Sequence, residues 1–212
     1  MKIFIDNDIA VKFAQWGLLQ RLGQHLIKQG HAELYMVSSL RYRFKLNEPA
    51  HATKLLGSKA AVDQLIAFVG LCKPAQGHNL AVAQALTDVQ SVDTGEAALF
   101  AAAAHFDAAL VDTGDKKAIR AIGALGNQHL VTKALAKKIA CLEQTVHYLV
   151  GRWTYEVVSK AVLSAPKADS ATLGCVNEKT EADATTALHQ KVEELRPHCG
   201  GTLAIDPFGW IA

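Results

Sequence analysis

Hydrophobic and polar residues follow two different periods along this chain. Short apolar runs at residues 2–5, 33–37, 108–111 and 128–131 predict four strands. Apolar residues that recur every three or four positions predict helices between them, over residues 9–30, from about 58 to before Pro74, and over 80–86, 93–105 and 113–122. Strands that alternate with helices are typical of a parallel sheet covered on both faces. We therefore predict an α/β fold with three layers (α/β/α) and a mostly parallel sheet of four or five strands.

The last third of the chain has a different pattern from the part before it. Residues 134–163 are predicted to be mostly helical, 164–177 to form a polar loop, and 181–195 to form a helix that ends before Pro197. We predict a first domain over residues 1–135 and a mainly helical C-terminal extension over residues 136–212.

Composition narrows the class of protein. Half of the 212 residues are hydrophobic, which is enough for one packed core. No apolar run reaches the roughly 18 residues that a membrane-spanning helix needs, and the N-terminal Met-Lys-Ile-Phe-Ile-Asp does not resemble a signal peptide. The four cysteines lie far apart without a C-x-x-C pair. We expect a cytoplasmic protein with reduced thiols and no membrane partner.

Charge is distributed unevenly although the net charge is only +2. Lys and Arg predominate in residues 38–60 and 116–160, whereas Asp and Glu predominate in residues 61–115. Basic segments on either side of an acidic centre suit a polyanionic substrate that is processed at a metal ion. Solvated helix faces would account for each of these segments equally well.

Carboxylates stand at the ends of predicted strands and at the starts of predicted helices. Asp6 ends the first strand, Asp112 follows the third, and Ser38 and Ser39 follow the second. Ligands of parallel sheets bind beyond the carboxyl ends of the strands, so these side chains are expected at one edge. Clustered carboxylates repel one another unless a hard cation lies between them. We therefore predict a Mg²⁺ or Mn²⁺ site with these ligands: Asp6, Glu96, Asp112 and Asp115.

Helix capping offers another interpretation of the same acids. Asp6 is suited to be an N-cap, and Asp8 to be an acid in the first turn of a helix. The pairs Asp93-x-x-Glu96 and Asp112-x-x-Asp115 have the spacing of capping boxes. For either pair alone, capping and metal binding are equally good explanations, and it is the combination with Asp6 that favours a common site.

Three sequence elements together resemble the PIN-domain nucleases. They are a hydrophobic strand that ends in Asp6, the segment Asp93-Thr94-Gly95-Glu96-Ala97-Ala98, and the segment Leu110-Val111-Asp112-Thr113-Gly114-Asp115-Lys116-Lys117-Ala118. The resemblance covers roughly residues 1–135. It implies that Asp6, Glu96 and Asp115 are the catalytic carboxylates and that Thr113 is a supporting hydroxyl. It implies further supporting roles for Asp8, Ser39 and Asp93, and hydrolysis of single-stranded RNA with Mg²⁺ or Mn²⁺.

Basic residues beside these elements are candidates for RNA binding. Arg41, Arg43 and Lys45 alternate with Tyr42 and Phe44, so phosphate pairing and base stacking can occur together. An amphipathic helix with its aromatic side chains in the core would give the same pattern. Lys116 and Lys117 are further candidates for phosphate contacts. The resemblance also suggests an antitoxin-like protein or a second copy of the chain as partner.

One departure from the family pattern keeps two other functions open. PIN proteins usually carry a Glu shortly after the second strand, where this chain has Tyr42-Arg43-Phe44. The absence of that acid favours a catalytically degenerate PIN-like protein that binds RNA or a protein partner. A haloacid-dehalogenase-type phosphatase is the other alternative, because Asp6-x-Asp8, Ser38 or Ser39, and Asp112-x-x-Asp115 imitate its acids and hydroxyl. The histidines show no H-E-x-x-H pattern, and P-loop and G-x-G-x-x-G motifs are absent.

Overall fold

A computed structural model of the chain describes residues 1–30, 32–75, 79–177 and 179–209. Five parallel strands in these ranges form one sheet: β1 (Lys2–Ile5), β2 (Glu33–Met36), β3 (Lys73–Pro74), β4 (Ala109–Thr113) and β5 (Ile139–Cys141). Their order across the sheet is β3-β2-β1-β4-β5. The predicted α/β class, with helices on both faces of a parallel sheet, is confirmed.

Helices connect and cover these strands. In chain order they are α1 (Asn7–Gln15), α2 (Leu19–Gly30), α3 (Ser39–Arg43), α4 (Pro49–Leu56), α5 (Lys59–Leu71), α6 (Leu80–Leu86), α7 (Thr94–Ala104), α8 (Lys116–Ala124), α9 (Leu130–Ala134), α10 (Leu142–Trp153), α11 (Tyr155–Ser164), α12 (Ser170–Val176) and α13 (Glu181–Leu195). No helix in the described part of the chain is long and apolar enough to cross a membrane.

Strand β1 shows how one short segment supplies both cores. Side chains of a strand point alternately to the two faces of the sheet. Accordingly, Ile3 and Ile5 belong to one buried cluster, which includes Phe13 of α1 and Phe68 of α5. Phe4 belongs to the other, which includes residues of α6, α7 and α8. The acids that follow these strands are therefore held on a backbone fixed from both sides.

Several predicted elements differ from the structure. The predicted helix over residues 9–30 is two helices, because Gly17 adopts a left-handed φ of 71° between them. The predicted strand over residues 128–131 is wrong. Leu130–Ala134 is the helix α9, and the strand is the later run Ile139–Cys141. The predicted loop over residues 164–177 contains α12, whose N-cap Asp169 accepts a hydrogen bond from the Thr172 N–H.

The sheet extends past residue 135, where the sequence places the end of the first domain. β5 pairs with β4, and α10 begins directly after it. The chain returns to β5 once more, since the Ile139 N–H donates to the Thr202 carbonyl oxygen and the Ala204 N–H donates to the Ile139 carbonyl oxygen. Residues of the predicted extension thus complete the edge of the sheet on which the site is built.

A candidate acidic site at the carboxyl edge of the sheet

A cavity of about 780 Å³ lies at the carboxyl edge of the sheet. Five carboxylates line it, at the starts of α1, α7 and α8: Asp6, Asp8, Asp93, Glu96 and Asp115. Four basic residues line it as well: Arg43, Lys116, Lys117 and Arg120. The cavity therefore combines acids with a basic rim, a charge arrangement that suits an anionic ligand bound with a cation.

Asp6 stands at the junction of β1 and α1 and is 7% exposed. Its Oδ1 accepts a hydrogen bond from the Asn7 N–H at 2.6 Å, and its Oδ2 accepts one from the Thr113 hydroxyl at 2.8 Å. Burial raises the pKa of Asp6 to about 6, and the charges of Asp8 and Asp93 act in the same direction. The hydrogen bonds favour the ionised form and partly offset that rise.

Glu96 forms a capping box with Asp93 at the start of α7. The Asp93 N–H donates to Glu96 Oε2 and the Glu96 N–H donates to Asp93 Oδ1, each at 2.8 Å. Burial raises the pKa of Glu96 to about 8, and the nearby charges of Asp115, Asp6 and Asp93 add to the rise. The like charges of both other predicted catalytic acids therefore act on Glu96 and favour its protonated form.

Asp115 is the N-cap of α8. Its Oδ1 accepts hydrogen bonds from the Lys117 N–H at 2.7 Å and the Ala118 N–H at 3.0 Å. Its own N–H donates to the Thr113 hydroxyl at 3.1 Å. Thr113, for which the family resemblance implies a supporting role, therefore connects Asp6 and Asp115 through a single oxygen.

Asp8 is held by a lysine of its own helix. The Lys12 ammonium donates to Asp8 Oδ2 at 2.6 Å and forms an ion pair with Asp169 at 2.9 Å. The backbone at Gly114 approaches this pair so closely that a Cβ there would lie 2.1 Å from Asp8 Oδ2. A Cβ there would displace the Asp8 carboxylate, so the glycine allows the turn before α8 to rest on it.

Asp112 does not reach the cavity, although the sequence analysis groups it with the metal ligands. It pairs in register with Ile5, so its side chain points to the sheet face opposite that of Thr113. It is fully buried, and Thr145 of α10 donates a hydrogen bond to its Oδ1 at 2.8 Å. Burial raises the pKa of Asp112 to about 8.

The predicted RNA-binding segment is divided between two surfaces. Arg43 and Phe44 line the acidic cavity together with Ser39, and the Arg43 guanidinium lies 5.8 Å from the centre of the Phe44 ring. Arg41 lines a smaller cavity beside Cys72 and β3. Lys45, which follows α3 with a positive φ of 47°, lines neither of these cavities. Lys116 and Lys117, the other candidates for phosphate contacts, both line the acidic cavity.

Sequence reasoning missed a buried acid that contacts Lys116, one of the residues that line the acidic cavity. Glu143 in the first turn of α10 is 0% exposed and forms an ion pair with Lys116. It follows β5 by two residues, much as Asp6 follows β1. The same signal, an acid after a short buried strand, is therefore present here, but the sequence pattern predicts the strand at 128–131. Arg120 and the Lys12–Asp169 ion pair were missed as well.

The acids of the cavity have the chemistry that Mg²⁺ or Mn²⁺ requires, since these ions prefer carboxylate oxygens. Four of them, Asp6, Asp93, Glu96 and Asp115, nevertheless accept hydrogen bonds from backbone N–H groups. Among the described residues, no group of three or more His, Cys, Asp or Glu side chains is arranged to hold a metal ion. Glu96 Oε1 and Asp115 Oδ2 make no hydrogen bond within the described part of the chain. These two oxygens, like Asp93 Oδ2 and Asp8 Oδ1, are available to a cation without loss of a cap.

The chain matches no protein-family model, no curated protein and no solved structure. Its function therefore has to be argued from the geometry of this site.

Proposed function

We propose that this protein is a metal-dependent ribonuclease that hydrolyses phosphodiester bonds of single-stranded RNA with Mg²⁺ or Mn²⁺. The observation that carries the proposal is the Thr113 hydroxyl, which joins Asp6 to Asp115 in a cavity that Glu96 also lines. The resemblance of these elements to those of PIN-domain nucleases supports the same assignment. A cytoplasmic location and an antitoxin-like or self partner belong to this proposal as expectations.

The residues of the cavity divide the work between a cation and a phosphate. Asp6, Glu96 and Asp115 would hold the metal, which lowers the pKa of a bound water and neutralises charge on the phosphate. Metal binding would deprotonate Glu96, whose pKa of about 8 reflects burial among like charges. Arg43 and Lys117 stand on the rim, where they would pair with phosphates of a strand crossing the cavity.

A specific observation favours a second function, binding without hydrolysis. Every acid of the predicted catalytic set caps a helix or bonds a neighbouring capping residue. The family resemblance leads us to expect an acid within residues 42–44, and Arg43 in this segment lines the cavity instead. The phosphatase alternative loses support, because Asp112 is fully buried and Asp8 is paired with Lys12.

Cleavage of labelled single-stranded RNA in Mn²⁺, Mg²⁺ or EDTA separates these functions. We expect cleavage in either metal and none in EDTA. Asp115→Asn should reduce the rate by about 1,000-fold or more while RNA affinity is retained, since this acid acts through the metal. An asparagine can still cap α8, so the fold is preserved. The matched control is Asp107→Asn, which changes an exposed acid just before β4, at the opposite end of that strand.

RNA binding without cleavage in any divalent metal would establish the non-catalytic alternative. If the protein neither binds nor cleaves RNA, RNA is excluded from the proposal altogether.

A further inference from the structure

Glu143 is placed where a charge is difficult to accommodate. It lies in the first turn of α10 directly after β5, and none of its side chain is exposed. Its Oε2 atom has no hydrogen-bond partner among the described residues. A buried carboxylate is tolerated when a cation satisfies it, and removal of either partner of such a pair is strongly destabilising. The cation that pairs with Glu143 therefore indicates what this buried carboxylate does.

That partner is Lys116, the first residue of α8, whose Nζ donates to Glu143 Oε1. The Lys116 side chain keeps 26% of its surface exposed and lines the acidic cavity. Its neighbour Lys117 is exposed and has no ion pair within the described part of the chain. The Lys116 side chain is thus fixed by a buried acid, whereas the Lys117 side chain has no such ion pair within the described residues.

An ammonium held in a fixed position stabilises a reacting phosphate at a lower entropic cost than a mobile ammonium does. A free lysine side chain loses rotamer entropy when it is immobilised. Folding has already immobilised Lys116, so a phosphate that meets its ammonium does not bear that loss. A preorganised positive charge stabilises negative charge that develops on phosphate oxygens. Lys116 directly follows Asp115, one of the predicted metal ligands, and both residues line the acidic cavity.

We propose that Lys116 contacts the phosphate that undergoes hydrolysis and that Glu143 is the positioning residue that holds its ammonium there. This inference rests on the proposed nuclease function and adds a role for the chain beyond residue 135. A purely structural pair that ties α8 to α10 is the alternative.

Kinetics of single and double variants distinguish positioning from structure. Glu143→Gln and Lys116→Met should each lower kcat by about 10- to 100-fold and change KM by less than about three-fold. The double variant should be no slower than Lys116→Met, because Glu143 acts through that lysine. Asp63→Asn, which breaks the exposed Lys59–Asp63 pair in α5, is the control and should leave kcat unchanged. Effects that multiply in the double variant would overturn the proposal.

A second measurement does not depend on cleavage. In protein labelled with ¹⁵N-lysine, the Lys116 ammonium should give a resonance that shifts when single-stranded oligothymidylate is added. The resonance should be lost in Glu143→Gln. This variant still tests the proposal if Lys116→Met does not fold. A Lys116 resonance that does not shift when the oligonucleotide is added overturns the proposal, even if the protein cleaves RNA. A shift in a protein that cleaves no RNA supports the Lys116 contact and refutes the proposed hydrolysis.

Discussion

The hydroxyl of Thr113 donates a hydrogen bond to Asp6 Oδ2 across 107 positions of sequence. The register of β1 and β4 makes this contact, because Ile5 pairs with Asp112 and the residues that follow them therefore face each other. The same oxygen accepts from the Asp115 N–H. One side chain thereby sets the spacing between two acids that the sequence alone leaves unrelated.

We expect Thr113→Val to loosen this connection. The substitution removes both hydrogen bonds at nearly constant volume, which should destabilise the protein by about 1–3 kcal/mol. The pKa of Asp6 should rise further above about 6, because the Thr113 hydroxyl favours its ionised form. Carboxyl ¹³C resonances followed against pH measure this change. Thr132→Val, which removes a buried hydroxyl that donates to Ile122, is the control and should leave the pKa of Asp6 unchanged.

Stability without divalent metal should fall as pH rises. Asp6, Glu96 and Asp112 have raised pKa values in the folded protein, about 6, 8 and 8. Between the unfolded pKa of about 4 and these values, the folded state binds more protons, so each group lowers the free energy of unfolding by about 1.4 kcal/mol per pH unit. Carboxylates with lowered pKa values, such as Glu33 at about 2, contribute fully throughout this window. The lowered pKa values of His25 and His147 act in the opposite direction below about pH 6.5, the ordinary value for histidine. Urea unfolding from about pH 5 to about pH 9 measures the slope.

Asp112→Asn tests which group is responsible for part of that slope. The amide oxygen can still accept the hydrogen bond from Thr145, but the side chain no longer titrates. We expect a smaller loss of stability with rising pH and a more stable protein than wild type at about pH 9. A slope equal to that of the wild type would show that Asp112 is ionised in the folded protein at neutral pH.

The sequence predicts which acids gather at the candidate site, but not whether they cap helices or bind a metal. Asp6 and Asp115 are recognisable because each carboxylate stands between a strand and a helix. That position also suits an N-cap, and both residues do cap helices. Capping and metal binding use the same residue types at the same place, so spacing alone cannot separate them. Asp112 illustrates another limit, since the face to which a strand residue points depends on a register known only from its neighbour.

The missed acid Glu143 has a different cause. The runs at residues 128–131 and 139–141 are both short and apolar, and periodicity cannot assign such runs to strand or helix. Pairing with β4 decides between them in the structure. Once the strand was placed at the earlier run, an acid two residues after Cys141 had no apparent significance. Long-range pairing is the information that local patterns lack.

Gly114→Ala should disturb the site through Asp8. The added Cβ would lie 2.1 Å from Asp8 Oδ2 and 3.0 Å from the Lys12 Nζ, so the ion pair must move. We expect a loss of about 1–3 kcal/mol in the free energy of unfolding, measured by urea titration. Asp8→Ala should relieve part of this loss in the double variant. Gly70→Ala in α5 meets no atom within 4 Å and should stabilise the protein by about 0.5–1 kcal/mol.

Magnesium should stabilise the folded protein if the acidic cavity binds it. An ion that binds the folded state alone adds about 2.7 kcal/mol at a concentration one hundred times its Kd, which raises Tm by several degrees. Asp6→Asn should abolish this increase. The variant should be as stable as the wild type or more so without metal, because the buried acid with a raised pKa is gone. An equal rise of Tm in Asp6→Asn would refute Asp6 as a ligand.

Arg43 and Arg41 offer a matched pair of substitutions, because they lie two residues apart on α3 and line different cavities. Arg43→Ala should weaken the binding of single-stranded RNA and reduce the slope of log K against log salt by about 0.7, since one phosphate contact is lost. Arg41→Ala changes the same net charge outside the acidic cavity and should leave that slope nearly unchanged. Filter binding at several salt concentrations, with EDTA present to prevent cleavage, measures both. Equal effects of the two substitutions would mean that RNA responds to the overall charge of α3, and the acidic cavity would then have no part in holding the strand.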